Sequence, residues 1–107
     1  MAERSGVRIR IEALPAMDNA LELARDGVRT GGDPRNREFA PVDADGVPEE
    51  VLALGYDAQT AGGLLIALPT EKALSLQSEF ERNDLFLARI GAVEAGSGVS
   101  VTARAAA

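Results

Sequence analysis

Near the start of the chain, the hydrophobic pattern changes from a period of two to a helical period. From Val7 to Glu12 every second residue is apolar and the others are charged, which predicts a half-buried strand. Asp18 is placed to cap a helix over residues 19–26, and Gly27 is suited to ending it. The first quarter of the chain is therefore predicted to form a strand followed by a short helix.

The middle of the chain combines a long polar stretch with two short apolar ones. Residues 29–46 show no apolar periodicity and several turn signals, which predicts a long loop of the kind that is functional or mobile in small domains. A short helix is predicted from Pro48 to Leu54, with Gly55 after its end. The continuous apolar run from Leu64 to Leu68 predicts a central strand covered on both faces.

The last third of the chain alternates helix and strand. Thr70 is placed to cap a helix from Glu71 to about Arg82, whose apolar residues recur at helical spacing. Strands are predicted for residues 85–93 and 99–101, with a turn at Gly96-Ser97-Gly98, and residues 104–107 form a tail. The order of elements predicts an α+β fold, in which helices pack on a mixed or antiparallel sheet. Residues 1–103 are treated as one domain.

Composition removes several kinds of chemistry from consideration. The 107 residues include no cysteine and no histidine, which excludes disulfides, thiolate nucleophiles, cysteine–histidine zinc sites and the usual proton shuttle at neutral pH. With 17 acidic against 11 basic residues the net charge is -6, which disfavours nucleic acid and anionic membranes as partners. Without a long apolar run or an apolar signal region, the expected location is the cytoplasm.

Two segments with paired glycines carry the candidate chemistry. They are Gly31-Gly32-Asp33-Pro34-Arg35-Asn36 and Asp57-Ala58-Gln59-Thr60-Ala61-Gly62-Gly63. Paired glycines permit positive φ angles and close approach to the backbone, and successive free N–H groups can bind an anion. Arg35 would add a guanidinium suited to phosphate. The alternative is that the glycines only form turns and that Arg35 and Asp57 pair locally or face solvent. Tyr56 is predicted to be partly buried with its hydroxyl reaching outward, or else to stack on a base.

The order of these motifs resembles the C-terminal domain of selenophosphate synthetases. The resemblance continues through Leu64-Leu65-Ile66-Ala67-Leu68-Pro69, Ala88-Arg89-Ile90-Gly91-Ala92-Val93 and the closing Val99-Ser100-Val101. Glu12-Ala13-Leu14-Pro15 and residues 21–27 also fit. The family is related to aminoimidazole ribonucleotide synthetase. The residues expected near phosphate or nucleotide are Gly31, Gly32, Arg35, Asn36, Asp57, Gln59, Thr60, Gly62 and Gly63.

The resemblance implies that the parent enzyme uses ATP and magnesium to make selenophosphate from selenide, releasing AMP and phosphate. It also implies an incomplete α+β domain that supports the nucleotide cleft of an N-terminal ATP-binding domain. Three positions depart from the family pattern: Asp33, Ala58 and Ala61. A carboxylate at position 33 is expected to repel phosphate, Ala58 lacks the rigidity of proline, and Ala61 lacks a hydroxyl donor.

The family's N-terminal nucleophile, its lysine partner and its magnesium-binding aspartates have no counterpart in this sequence. We therefore expect a C-terminal fragment that is inactive alone, and we assign it no catalytic residue, metal ligand or cofactor. Residues 1–5 are expected to form the end of a helix. Two alternatives remain: a stand-alone binding or regulatory module with this fold, and a related ATP-dependent synthetase with another substrate. Apolar surface left uncovered by the missing ATP-binding domain is expected to cause self-association.

Overall fold

The structure is a computed structural model that describes residues 2–57 and 63–102. Its elements, in chain order, are α1 (Ala2–Ser5), β1 (Val7–Ile11), α2 (Ala20–Arg25), α3 (Asp33–Phe39), α4 (Glu49–Tyr56), α5 (Thr70–Arg82), β2 (Gly91–Ala95) and β3 (Val99–Val101). The α+β class with a mixed sheet and helices is confirmed. The predicted tail at residues 104–107 lies outside the described residues, as does the end of the predicted domain at residue 103.

The sheet has three strands in the order β2-β1-β3. Strand β1 pairs with β2 antiparallel, from Val7 opposite Ala95 to Ile11 opposite Gly91, and with β3 in parallel. The predicted alternation of β1 is confirmed on its charged side, where Arg8 binds Asp43 and Arg10 binds Glu94. Strands β2 and β3 lie on opposite sides of β1, and the predicted turn at residues 96–98 connects them. Both glycines of this turn have positive φ.

Helix α2 ends as the sequence predicts but begins differently. Gly27 has a φ of 93°, and the N–H groups of Gly27 and Val28 donate to the carbonyls of Ala24 and Leu23, which is a glycine-terminated Schellman motif. The predicted cap at Asp18 is wrong, because Asn19 takes the N-cap position in a left-handed conformation. No side chain caps α5 either, since Pro69 stands at its N-cap and Thr70 is its first residue.

The small core lies between α4 and one end of the sheet. Val51 of α4 is 1% exposed and packs with Val101 of β3. The half-buried apolar residues around them come from β1 and the chain just after it, α2, the segment between α3 and α4, and α4 itself. The predicted helix at residues 48–54 is confirmed, although it continues through Gly55 to Tyr56. Helix α5 has a half-buried apolar face but no buried residue, so it contributes little to this core.

The predicted loop over residues 29–46 is wrong in its middle, where α3 forms. Helix α3 has no apolar stripe, so hydrophobic periodicity does not reveal it. Its stability comes from Pro34 in the first turn and from an ion pair between Asp33 and Arg37, four residues apart. These polar features are visible in the sequence only when the charges are examined at helical spacing.

Two predicted strands differ from the structure. Residues 64–68 form no strand, because no described strand runs beside them. The predicted strand over residues 85–93 begins only at Gly91. Just before it, the carbonyl of Ile90 accepts hydrogen bonds from the N–H groups of both Glu12 and Ala13, which ends the regular ladder there. Among the described residues, no helix is long and apolar enough to cross a membrane.

Candidate functional site

A side-chain hydrogen bond brings the two glycine motifs together. Asn36 lies on α3 in the first motif, and its Nδ2 donates to the backbone carbonyl of Tyr56 over 2.9 Å. Tyr56 is the last residue of α4 and directly precedes Asp57, the first residue of the second motif. The bond therefore fixes the end of the first motif against the start of the second, although 20 residues separate the bonded pair.

An ion-pair cluster holds α3 against α4 beside this junction. Arg37 Nε lies 2.7 Å from Asp33 Oδ1, and Arg37 Nη2 lies 2.7 Å from Glu49 Oε1 at the start of α4. The hydrogen bond to Asp33 raises the pKa of Arg37 above its ordinary value. Asp33 is 7% exposed. Its carboxylate is turned onto Arg37, so the expected repulsion of phosphate by Asp33 loses its physical basis.

Tyr56 is the third member of this junction. Its hydroxyl donates to the carbonyl of Ala40 over 2.7 Å, and the Arg37 guanidinium lies 5.3 Å from its ring centroid. The prediction of a partly buried tyrosine is confirmed, but its hydroxyl binds the backbone just after α3. Burial raises the pKa of Tyr56 above its ordinary value, although the Arg37 charge opposes the shift.

We expect Tyr56 to ionise at higher pH in the folded protein than in the unfolded chain. The folded state holds the proton more tightly, so its contribution to stability is complete below about pH 10 and is lost as the pH rises through the folded pKa. Tyr56 is the only tyrosine and the chain has no tryptophan, so tyrosinate absorbance reports this group alone. The same protein in urea is the control. Identical midpoints in the two titrations would contradict the burial of Tyr56.

The described glycines of the two motifs do not use left-handed conformations. Gly32 is the N-cap of α3 with a φ of -85°, and neither Gly31 nor Gly63 has a positive φ. A Cβ atom at Gly31 or Gly63 would have no neighbour within 4 Å among the described residues. The backbone conformation at these positions does not require glycine. What glycine provides there is an open side of the backbone, which another group can approach closely.

Arg35 is exposed on α3 between Pro34 and Asn36. Within the described part of the chain it has no ion pair or hydrogen bond, in contrast to Arg37, which is fully engaged. Arg35 is therefore the guanidinium of the first motif that remains available to an incoming anion.

Asp57 is exposed and lies beside a shallow cavity of about 180 Å³ between α2, α4 and the chain after α2. Thr30 and Arg29 also line it. The hydroxyl of Thr30 is buried and has no hydrogen-bond partner among the described residues. Thr30 immediately precedes Gly31, so the cavity provides a second junction between the two motifs.

Sequence reasoning missed Thr30 and Arg37. Thr30 is a hydroxyl residue directly before a glycine pair, which is a signal that could have placed it in the first motif. Arg37 stands four residues after Asp33, the spacing of a helical ion pair. Gln59, Thr60 and Gly62, together with the departures Ala58 and Ala61, lie outside the described residues. In residues 2–57 and 63–102, no three carboxylates gather as a metal site would need.

Comparison with known proteins extends the motif resemblance over most of the chain. It is 41% identical over 80 residues to selenide, water dikinase 2 of Peptoclostridium acidaminophilum, covering 71% of this chain and 23% of that protein. It is 42% identical over 98 residues to selenide, water dikinase of Trichlorobacter lovleyi, covering 87% and 28%. For selenide, water dikinase of Nitratidesulfovibrio vulgaris the identity is 33% over 103 residues, covering 92% and 29%.

The chain therefore spans about a quarter of the length of these relatives. No family model matches the sequence, and no solved structure matches it.

Proposed function

Because this chain belongs by sequence to the selenide, water dikinases over most of its own length, we propose that it is the C-terminal module of a selenophosphate synthetase. The longer enzyme would transfer one phosphoryl group from ATP to selenide and use water to cleave the remaining diphosphate bond, so that AMP and phosphate are released. The observation that carries the proposal is the asymmetry of the match, which covers 87% of this chain but 28% of the Trichlorobacter lovleyi relative.

In this proposal the module supports the nucleotide cleft of an ATP-binding domain and performs no chemistry alone. Arg35 supplies a positive charge for a phosphate group, and the Asn36–Tyr56 hydrogen bond sets the distance between the two motifs. The pairing of Asp33 with Arg37 offsets the negative charge of Asp33, which would otherwise oppose this binding. Magnesium would be held by carboxylates of the other domain, as the resemblance to the family implies.

A chimeric enzyme tests the proposal. The part of the Trichlorobacter lovleyi selenide, water dikinase that matches this chain would be replaced by the present sequence, and AMP formation would be measured with ATP and selenide. We expect activity from the chimera and none from the isolated chain. A folded but inactive chimera would favour a stand-alone binding module, and activity only with another acceptor would favour a synthetase with a different substrate.

Within an active chimera, we expect Arg35→Ala to lower kcat/KM by about ten-fold or more, because a hydrogen bond to a charged group contributes about 1.5–3 kcal/mol. Arg82→Ala is the matched control. Arg82 is an exposed arginine of α5 that pairs with Glu79 on the surface, so its loss should change kcat/KM by less than about two-fold. An Arg35→Ala chimera with unchanged kinetics would remove Arg35 from the site.

A further inference from the structure

The tripeptide Asp-Gly-Val occurs twice in the chain, at residues 26–28 and 45–47. An Asp-Gly sequence is open to a specific reaction, in which the backbone nitrogen of the glycine attacks the side-chain carboxyl carbon of the aspartate and closes a five-membered succinimide ring. Glycine favours this reaction because it has no Cβ atom to hinder the approach. Since the two copies share all three residues, a difference in their reactivity that disappears on unfolding comes from the fold.

The first copy is held by hydrogen bonds at the end of α2. The N–H group of Asp26 donates to the carbonyl of Glu22 over 3.0 Å, and that of Gly27 donates to the carbonyl of Ala24 over 3.2 Å. Asp26 has a ψ of 3°. Ring closure requires a rotation about ψ that brings the glycine nitrogen to the side of the aspartate Cβ, and this rotation would break the bond from Gly27. The fold therefore protects Asp26, although both residues are exposed.

The second copy lacks these hydrogen bonds. Asp45 and Gly46 form an exposed turn, in which Gly46 has a φ of 73°. Within residues 2–57 and 63–102, neither of their N–H groups donates a hydrogen bond, and the Asp45 carboxylate has no ion-pair partner. The nitrogen and the carboxyl group that form the ring are therefore both free to react at this position.

The chain is fixed on both sides of this turn. The N–H group of Asp43 donates to the carbonyl of Val99, and the carbonyl of Asp43 accepts from the N–H group of Val101, so Asp43 is bonded to β3 twice. On the other side Val47 packs against Val51 in the core, and α4 begins two residues after Val47. Residues 44–46 are therefore a short link whose length helps to set the position of α4 on the sheet.

We propose that Asp45 is a modification site, at which the folded protein converts aspartate spontaneously to isoaspartate. Cγ of the protonated Asp45 carboxyl group forms a bond with the nitrogen of Gly46, and the proton of that nitrogen leaves with the carboxyl hydroxyl as water. Water then adds to the ring carbonyl that was the backbone carbonyl of Asp45, and the bond from this carbon to the nitrogen breaks. The chain now runs through Cβ and Cγ, and the former backbone carbonyl carbon becomes the free carboxylate.

The reaction needs no oxidant, reductant or cofactor, because one water leaves and one is added. Addition of water to the other ring carbonyl restores aspartate. The inference does not depend on the proposed enzymatic function.

Isoaspartate at position 45 adds one carbon atom to the main chain between Asp43 and Val47. Because Asp43 is bonded to β3 and Val47 is packed in the core, the longer link works against the contact of Val47 with Val51. Close packing tolerates such displacements poorly. We therefore expect the modified protein to be less stable than the unmodified one.

Ageing of the folded protein at neutral pH and physiological temperature tests the proposal. Trypsin cleavage after Arg29 and Arg37 places the two aspartates in different peptides. Electron-transfer fragmentation then identifies isoaspartate in each peptide, since the modification leaves the mass unchanged. We expect isoaspartate to form at position 45 about ten-fold or more faster than at position 26, because ring closure at Asp26 must first break hydrogen bonds.

Urea provides the control for the fold. In the unfolded chain the hydrogen bonds at Asp26 are absent, so most of the difference between the two positions should disappear. A folded protein in which position 45 reacts no faster than position 26, or a ratio of the two rates that urea does not change, would overturn the proposal.

Asp45→Glu is the control for the effect on stability. Glutamate keeps the charge, but its attack would close a six-membered ring, which forms far more slowly. After ageing, the wild type should contain a fraction that unfolds at lower urea concentration, in proportion to the isoaspartate at position 45, and Asp45→Glu should not. An equal loss of stability in aged Asp45→Glu would overturn the proposed effect of the modification.

Discussion

Replacement of Arg37 by methionine is expected to destabilise the protein by about 2–3 kcal/mol, because it leaves the carboxylate of Asp33 buried without a partner. The side chain of Asp33 is only 10% exposed, and Arg37 is its ion-pair partner at 2.7 Å. The estimate lies below that for a fully buried pair, since the side chain of Arg37 is itself 28% exposed. Urea denaturation followed by circular dichroism measures the change in the free energy of unfolding.

The pair between Arg8 and Asp43 is a matched control within the same chain. Its closest contact is also 2.7 Å and its arginine is also 28% exposed, but the carboxylate of Asp43 is 76% exposed. Arg8→Met should therefore cost less than about 1 kcal/mol, because water solvates the remaining carboxylate. Equal losses for Arg37→Met and Arg8→Met would show that burial of Asp33 does not determine the cost.

A double variant separates the charge effect from loss of packing. Asp33→Asn combined with Arg37→Met removes both charges, so the buried position no longer carries an ion. We expect the double variant to be more stable than Arg37→Met alone. It also remains measurable if the single variant is too unstable to show a folded baseline. A double variant that is less stable than the single variant would mean that the Asp33 carboxylate, in the first turn of α3, remains favourable without Arg37.

Elements whose signal is local in the chain could be predicted from the sequence. The alternation of β1, the glycine after α2 and the helical spacing of α5 each arise from neighbouring residues, and the structure confirms them. Helix α3 was missed because its stabilising contacts are polar and reach α4, which follows about ten residues later. A strand at residues 64–68 was predicted from composition alone, but a strand exists only where a second strand pairs with it.

The same distinction applies to the candidate site. Both glycine motifs and the availability of Arg35 could be inferred from residue types. The contact between the motifs could not, because it depends on Asn36 reaching a backbone carbonyl 20 residues away. The role of Asp33 changed for a similar reason. As an isolated residue it suggests repulsion of phosphate, whereas on a helix with Arg37 one turn later it becomes half of a buried ion pair.

Replacement of Gly91 by alanine is expected to be as damaging as loss of Arg37, although it adds only one methyl group. Gly91 is the first residue of β2 and pairs with Ile11 of β1. A Cβ atom there would overlap the carbonyl oxygen of Arg10 and would lie 2.9 Å from its carbonyl carbon. These are backbone atoms held in the sheet, so relief requires β1 and β2 to separate at this end, at a cost of about 1–3 kcal/mol or more.

Gly55→Ala is the control with the same chemical change, and it is expected to stabilise the protein. Gly55 lies inside α4, and a Cβ atom there would make an ordinary contact of 3.5 Å with the side chain of Leu14. Alanine also favours the helical conformation over glycine by up to about 1 kcal/mol, so this variant should be more stable than the wild type. Denaturation midpoints that moved in the same direction for Gly91→Ala and Gly55→Ala would contradict the close approach of β1 to β2. Opposite shifts of the two denaturation midpoints would show that Gly91, the glycine of the Ala88–Val93 motif, is needed for the pairing of β2 with β1.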